Sequence, residues 1–573
     1  MTEMIPDTLS LEERAKLATH AVVGLADAEH DYIPFFSANL ITSPARMQHG
    51  DWDYGSSHGR MIDALILARH MSGTTEGADI EEWYRRNFLR FFKEDGLSYR
   101  QIHPRGHWGV AANLIDQRSV ILALTSWFMT TGDERVKTRA DAHVAALKRI
   151  AVKEKDVWYF PASEYLEDGW PSKNAVQLRL AADPASFCGR LIMPLLKYHE
   201  LTGNQDALEL CSYFTNLIVT RSGVFNPDGS FNSALAYRSG HFHTRLGTLD
   251  GLARFAAFRG DHALTAFVQR SYEWALSQCT AFGWTPGDMQ EQRYEHETCS
   301  LVDLISTGIS LAKSGYSQYW GVVERFVRNH LVESQLTDLD WVETLDTMEQ
   351  DEPGWITYYH VPQRLLGAFA GYSAPNDFAC DVHYGRGHIN DVQACCIGSG
   401  TRGLYLVWQN IITTRGREVS VNMLLNRGAK WLDVLSHLPY EGKVELKIHE
   451  NLPKLFVRIP DWAGYAKVVA TRVRGDESWE VHGSDPSVWQ RPRYFTFTDV
   501  REGEEITITF PVEESTSVER AVGQEFTVTW RGDDVMHIAP EGVHHPFYNS
   551  RRVAEKAPQK RASLTRPSEE LNW

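Results

Sequence analysis

The chain has 573 residues, several times the minimum for a hydrophobic core, so small stapled scaffolds are excluded and at least two domains, or one large domain with an appendage, are expected. Its 58 Lys and Arg against 74 Asp and Glu leave a net charge of −16, which repels phosphate backbones and anionic lipid headgroups and speaks against nucleic-acid and membrane partners. No apolar run approaches the roughly 20 residues of a membrane span, and the opening MTEMIPDTLSLEERAK lacks the basic and then apolar order of a secretory signal, so a cytoplasmic protein is expected. Seven cysteines, an odd number without a signal, argue against a disulfide framework and leave metal binding or thiol chemistry as their special uses. The 18 Trp fill cores or stack on sugar C–H faces, and so favour a carbohydrate enzyme without establishing one.

Five apolar helical segments end in the same kind of glycine turn: MIDALILARHMSG at Gly73, SVILALTSWFMTTGD at Gly132, RLIMPLLKYHELTGN at Gly203, LGTLDGLARFAAFRGD at Gly260 and LVDLISTGISLAKSG at Gly315. Glycine takes the left-handed conformation that closes a helix, and intervals of 59, 71, 57 and 55 residues each hold two helices with their connections. Helices apolar over much of their circumference suggest stacked hairpins, which in a single domain close into an (α/α)6 toroid; TRGLYLVWQNII, from Thr401 to Ile412, would complete it near its sixth hairpin. An open helical solenoid is the competing architecture.

After about residue 415 the period changes to alternation. Val419–Leu424, Trp431–Val434, Lys443–Ile448, Leu455–Ile459, Tyr494–Phe497, Ile506–Phe510 and Phe526–Trp530 are strand candidates, many separated by Gly, Pro, Asp or Asn. The expected organisation is mainly α: a barrel over 1–414, a β-sandwich over 415–544 and an arm or tail over 545–573. The basic run of that arm, with Lys560 and Arg566 among its residues, is read as solvated or subunit-facing, which is compatible with a homo-oligomer.

Two cysteine features stand apart. Glu297-Thr298-Cys299 opens the helix LVDLISTGISLA, and the pair Cys395-Cys396 precedes TRGLYLVWQNII. In a toroid the starts of adjacent inner helices face one another, so three thiols and a carboxylate can meet as a four-ligand set suited to tetrahedral zinc. An adjacent cysteine pair is as easily two buried small hydrophobes, and the spacing is not that of a zinc ribbon.

At these residues, and at the phrase LFVRIPDWAG, the sequence resembles glycoside hydrolase family 127, whose characterised members are β-L-arabinofuranosidases. The resemblance implies an (α/α)6 barrel followed by a β-sandwich, zinc on Glu297, Cys299, Cys395 and Cys396, and Cys395 as nucleophile. The implied activity is that of a retaining exo-glycosidase on a small glycoside or oligosaccharide. Thiolate chemistry fits such a reaction, the sulfur replacing the first carboxylate of a retaining pair while a second group supplies a proton. The family's donor is a glutamate in a Gly-Glu pair. Here GWTPGDMQEQRYEHETC offers Gly287-Asp288 on a shorter connection, with Glu291 and Glu295 as rivals. Gly240-His241-Phe242-His243 resembles the family's sugar-touching Gly-His segment, so His241 and, behind it, His243 are the substrate-binding candidates. Two other sugar-touching histidines have no counterpart, because Ser119 and Cys188 stand where they are sought. His58, His103 and His107 are lesser candidates for the same mouth. The alternatives are a lyase or epimerase on an (α/α) barrel, and a sugar-binding protein whose zinc is structural.

Overall fold

The computed structural model describes residues 2–50, 52–100, 110–171, 183–232, 241–287, 289, 296–344, 354–380, 391–549, 554–568 and 570–573. Twelve longer helices organise its first part: α1 (Leu11–Gly24), α2 (His58–Ser72), α3 (Ala78–Arg90), α4 (Leu114–Thr131), α5 (Glu134–Ile150), α6 (Ile192–Thr202), α7 (Gln205–Thr220), α8 (Phe242–Arg259), α9 (His262–Ser277), α10 (Thr298–Lys313), α11 (Tyr319–Phe326) and α12 (Ala394–Ile411). The even-numbered helices from α2 to α10 carry the five apolar runs of the sequence. Four of them end on Gly73, Gly132, Gly203 and Gly260 with φ between 62° and 74°, the left-handed closure the glycines predict.

Packing sorts the helices into two layers. Helix α2 packs on α4, α4 on α6, α6 on α8, α8 on α10, α10 on α12, and α12 back on α2. Outside this circuit α3, α5, α7, α9 and α11 each lie against the helix that precedes them, and α1 lies against α2 and α12. The burial patterns follow. Helix α10 is buried from Thr298 to Ala312, whereas α5 buries one face, through Val136, Ala140, Val144 and Leu147. Close approach between inner helices is built into the sequence: a Cβ on Gly59 of α2 would stand 2.4 Å from the Ser119 carbonyl oxygen of α4.

Two histidines of these helices, His58 on α2 and His143 on α5, work as neutral core groups. His58 and His143 are fully buried, and burial pushes each imidazole down to about 4. The ring of His58 donates from Nδ1 to the Asp53 carbonyl oxygen at 2.8 Å and packs edge-on to Tyr84 and Phe91. It therefore belongs to the core and not to a mouth. Because both pKa values fall below the unfolded value of about 6.5, the unfolded chain takes up more protons as the pH drops from there to about 4. The two groups together should cost about 2 kcal/mol of stability per pH unit near pH 5. Urea midpoints measured across this range should fall accordingly; a flat profile would show that the folded chain accepts these charges.

The helical part ends at Ile411 and the next residue already starts a strand, Ile412–Arg415, slightly before the change of period suggests. All seven strand candidates are found within strands or overlap them. A four-stranded sheet orders Ile412–Arg415, Glu418–Val421, Leu452–Arg458 and Tyr494–Val500, with the second and third parallel. A six-stranded sheet orders Arg427–Gly428, Leu432–Ser436, Lys443–Ile448, Glu505–Thr509, Val469–Arg474 and Glu477–His482. Alternation sets the buried face: Val444, Leu446 and Ile448 are buried, while Lys443, Glu445 and Lys447 stay half-exposed. A third sheet, Glu514–Ala521, Gln524–Arg531 and Asp534–Ala539, docks on the helical part where Asn329 bonds the backbone of Asp533 and Val535 at 2.7 and 2.8 Å. The phrase LFVRIPDWAG has a structural use. Its buried Arg458 pairs with Glu324 of α11 and donates to the Asn422 carbonyl oxygen, so it couples strands to helices.

The C-terminal arm lies along its own chain. Gln559–Ala562 pairs antiparallel with Glu3–Pro6, Lys560 pairs with Asp7 and Glu13, and Arg566 pairs with Asp433. As expected of a solvated charge run, Lys556, Arg561 and Arg566 are exposed, while Lys560 is half-buried; Lys560 and Arg566 also find acidic partners within the chain. Trp573 is buried under the Arg402 guanidinium, 3.9 Å from the ring centre. Trp158, Trp284, Trp320, Trp408 and Trp530 are buried as well, so much of the indole surplus is core. Among the described residues, no helix is long and apolar enough to cross a membrane.

Candidate metal centre and active site

Two inner helices begin in the same way. Short strand His296–Glu297, paired with Tyr372–Ser373, runs into α10, and Val392–Gln393, paired with Ser37–Asn39, runs into α12. The extended residue before each helix, Glu297 or Gln393, fixes the direction of the first turn, which carries Cys299 in one case and Cys395 and Cys396 in the other. Ligand atoms of Glu297, Cys299, Cys395 and Cys396 all lie within 4.8 Å of one another. The Cys299 and Cys396 sulfurs are 3.6 Å apart, and those of Cys395 and Cys396 are 3.9 Å apart. Tetrahedral zinc with Zn–S bonds of 2.3 Å needs sulfurs about 3.8 Å apart, so the donor set fits this metal in spacing as well as in kind.

Burial divides the four donors. Glu297, Cys299 and Cys396 are buried, while Cys395 is partly exposed. The Cys395 thiol is held well below its ordinary range by the neighbouring Cys299 and Cys396 thiols, with Arg60 adding to the effect. Burial pushes Cys396 well up. Arg60, in the first turn of α2, donates from Nη1 to the Ser399 hydroxyl at 2.6 Å and to the Cys395 carbonyl oxygen at 3.2 Å, and lies 3.6 Å from the Cys299 sulfur. Three thiolates and a carboxylate on a divalent ion carry a net charge of −2, and a buried net charge needs a counter-charge close by. Arg60 supplies part of it at contact distance.

Further guanidiniums stand beneath. Arg118 is buried with an unbonded Nε, and burial together with Arg190 and Arg60 lowers its pKa well below the ordinary value. Arg190 donates to His243 Nε2 at 2.6 Å, and His243 Nδ1 lies 2.6 Å from Asp303 Oδ2. His243 is only 2 % exposed, so it is a link between Arg190 and Asp303 inside the helix circuit and not part of a surface open to ligand. His241 is placed differently. It precedes α8, its side chain is 42 % exposed, and its Nε2 meets Glu297 Oε2. Burial alone would lower its pKa, but the Glu297 carboxylate outweighs this and raises it. A ring nitrogen bonded to a metal-ligating carboxylate is the usual arrangement for holding such a ligand in orientation.

Asp288, Glu291, Glu295, His103 and His107 lie outside the described residues. The residues flanking the acidic segment are described. Gly287 accepts from the Phe242 N–H at 3.1 Å, next to His241, and the backbone N–H of Thr285 donates to His296 Nδ1 at 3.1 Å, next to Glu297. Both ends of the segment are therefore anchored beside the cluster. Ser119 and Cys188 are buried at inner-helix contacts. Gly59 packs directly on the Ser119 backbone.

The arginines were not singled out from the sequence, although they leave a signal there. Arg60, Arg118, Arg190, Arg245 and Arg402 each stand just before or at the start of an apolar inner-helix run, a costly place for a charge unless buried acids or a charged centre await it. Arg245 pairs with Asp183 at 2.6 Å, and Arg402 with Asp63 at 2.9 Å.

No family model matches the sequence, and no curated protein matches it. Among solved structures the chain is similar to a glycoside hydrolase family 127 β-L-arabinofuranosidase from Geobacillus stearothermophilus T6, with TM-score 0.58 and 15 % identity over 92 % of this chain and 80 % of that one. A second family 127 β-arabinofuranosidase has TM-score 0.58 at 13 % identity, over 91 % of this chain and 78 % of its own. A third structure, described as a glycoside hydrolase, has TM-score 0.58 at 13 % identity, over 93 % and 81 %. The fold is that of family 127 glycoside hydrolases, as the Glu-Thr-Cys and Cys-Cys motifs suggest. Within that fold this chain carries a Cys/Glu cluster that can hold a metal ion.

Proposed function

We propose that the chain is a retaining exo-glycosidase of the β-L-arabinofuranosidase kind, acting on the non-reducing-end sugar of a small glycoside or oligosaccharide. The observation that carries the proposal is the meeting of Glu297, Cys299, Cys395 and Cys396 at two inner-helix starts, with Cys395 alone partly exposed. In this reading the helix circuit is an (α/α)6 toroid over 1–414, followed by a β-sandwich over 415–544 and an arm over 545–573.

The four residues would hold zinc, which when bound keeps the sulfurs as thiolates near neutral pH. Cys395 Sγ attacks the anomeric carbon; the C–S bond forms as the bond to the leaving oxygen breaks, and Asp288 gives that oxygen its proton. Water then attacks the same carbon, Asp288 takes its proton, and the sulfur leaves as thiolate, with net retention. Glu291 is the rival donor. His241 binds a sugar hydroxyl while steadying Glu297, and His243 fixes Arg190 below it.

A closed four-ligand zinc site is ordinarily structural, so the donor is where the proposal is most exposed to test. Asp288→Asn should slow glycosides with poor leaving groups by about 10²- to 10⁴-fold and spare the first step on activated aryl glycosides, which depart without protonation. Glu291→Gln should be mild. The reverse pattern would move the donor role to Glu291. If neither variant shows leaving-group dependence, the cluster is a structural metal site and the glycosidase proposal fails.

A further inference from the structure

A second group of ligands stands apart from the Cys/Glu cluster. Asp27 caps a single 3-10 turn, Ala28–His30, that ends on His30, and His49 follows the strand Arg46–Gln48. One metal-ligating atom from each of Asp27, His30 and His49 lies within 4.8 Å of the others. His30 Nδ1 is 2.8 Å, and His49 Nε2 3.1 Å, from Asp27 Oδ2. Tetrahedral zinc with bonds of about 2.0 to 2.1 Å to nitrogen and oxygen sets neighbouring ligands about 3.3 Å apart, so each histidine nitrogen stands within a few tenths of an ångström of that spacing from Asp27 Oδ2.

The second coordination layer is already in place. The other ring nitrogen of His49, Nδ1, is 2.9 Å from Asp53 Oδ2, and Asp53 is itself held by the Gly50 N–H at 2.9 Å. A carboxylate behind the far nitrogen of a ligating histidine fixes its tautomer, presents the lone pair of the near nitrogen, and raises its basicity. The ring plane is fixed as well: Phe35 stacks on His49 at 4.1 Å and Trp355 meets it edge-on at 5.5 Å. Asp27 is positioned by the Glu29 N–H, 3.0 Å from its Oδ1, which leaves Oδ2 facing both histidines. Asp27 and His49 are buried, while the His30 side chain is 34 % exposed and leaves room for water in a fourth position.

We infer that Asp27, His30 and His49 form a second divalent-metal site, of zinc type, that ties the N-terminal turn to the segment leading into α2. The nitrogen-rich set with one carboxylate selects zinc or a similar transition ion over calcium or magnesium, which prefer oxygen. The site is independent of the glycosidase proposal, and its own variants test it. Full-length protein saturated with zinc and then gel-filtered should hold about two equivalents per chain. His30→Gln, which leaves Asp27 a hydrogen-bond donor but removes the ligating nitrogen, should lose about one equivalent. Cys299→Ser should lose the other and keep this one. Loaded with cobalt instead, Cys299→Ser should retain d–d absorption without a thiolate-to-cobalt charge-transfer band, and the double variant His30→Gln/Cys299→Ser should lose that absorption. Equal metal content in the parent and His30→Gln, with no cobalt absorption left in Cys299→Ser, would overturn the inference and leave His49 in an ion-pair network with Asp27 and Asp53.

Discussion

Cys395→Ser should abolish turnover of any accepted glycoside, by about a thousandfold or more, equivalent to about 4 kcal/mol of lost transition-state stabilisation. A serine hydroxyl fills nearly the same space, so the partly exposed first turn of α12 should stay folded, but the hydroxyl is mostly protonated where the sulfur is a thiolate. The depressed thiol pKa of Cys395 and the Arg60 contact to its carbonyl single it out from its neighbour. Cys396→Ser is expected to act through a different route. Its sulfur is fully buried, 3.6 Å from both Cys299 and the Gly371 carbonyl oxygen, so its loss should show first as lost metal and stability. Cys395 is also one of the proposed metal ligands, so metal content is measured beside circular dichroism and turnover on both variants, and lost turnover with metal retained assigns the effect to the chemistry of the sulfur. A Cys395→Ser protein that stays active would remove the sulfur from the chemistry.

Cys299→Ser should give the largest structural effect. The side chain is fully buried, links α10 to α12 through its contact with Cys396, and lies beside Arg60 of α2. Losing one of three thiolates should release most of the cluster's metal, because a neutral hydroxyl is a poor zinc ligand. A ligand held a thousandfold above its dissociation constant contributes about 4 kcal/mol to the folded state, and that contribution goes with the ion. Thermal unfolding of the parent should fall toward that of the variant when chelator is added, and the variant itself should be insensitive to chelator at the cluster. Full cluster occupancy in Cys299→Ser, read by the thiolate-to-cobalt band, would exclude Cys299 as a principal ligand.

How much of this was legible depended on whether the signal was local. Apolar runs closed by Gly73, Gly132, Gly203 and Gly260 mark inner helices because both the run and its cap lie within one short window. Helix α1 carries no sequence sign of being the outer partner of α12, since about two thirds of the chain separates them. Its own start was readable all the same: Ser10 caps it by accepting from the Glu13 N–H at 3.3 Å, the Ser-x-x-Glu order of a capped helix. The hairpin of Val469–Arg474 and Glu477–His482 was missed because, apart from Ala470, Arg472 and the half-buried Trp479, it is mostly half-exposed or exposed and rich in charge, so alternation is weak.

The site divides along the same line. Glu297, Cys299, Cys395 and Cys396 were recognised from their rare residue types, and the structure brings them together. Arg60, Arg190 and Asp303 look in sequence like ordinary charges interrupting apolar helices, and acquire meaning only when six helices turn them inward. His241 and His243, two residues apart, are both substrate-binding candidates in sequence, with His241 ranked first. The helix separates them by placing one at its open start and the other inside the helix circuit. The Asp27, His30 and His49 group is assembled from two turns about twenty residues apart, with no motif spacing to announce it.

The central claim is that Cys395 becomes bonded to the sugar. The most direct measurement is mass spectrometry of the metal-loaded parent protein after reaction with a slow covalent substrate analogue, followed by peptide mapping. The account predicts one adduct per active chain, on the peptide containing Cys395, and its absence from Cys395→Ser. An adduct on Cys396 or on a carboxylate would contradict the account, as would steady turnover of the analogue with no adduct on Cys395.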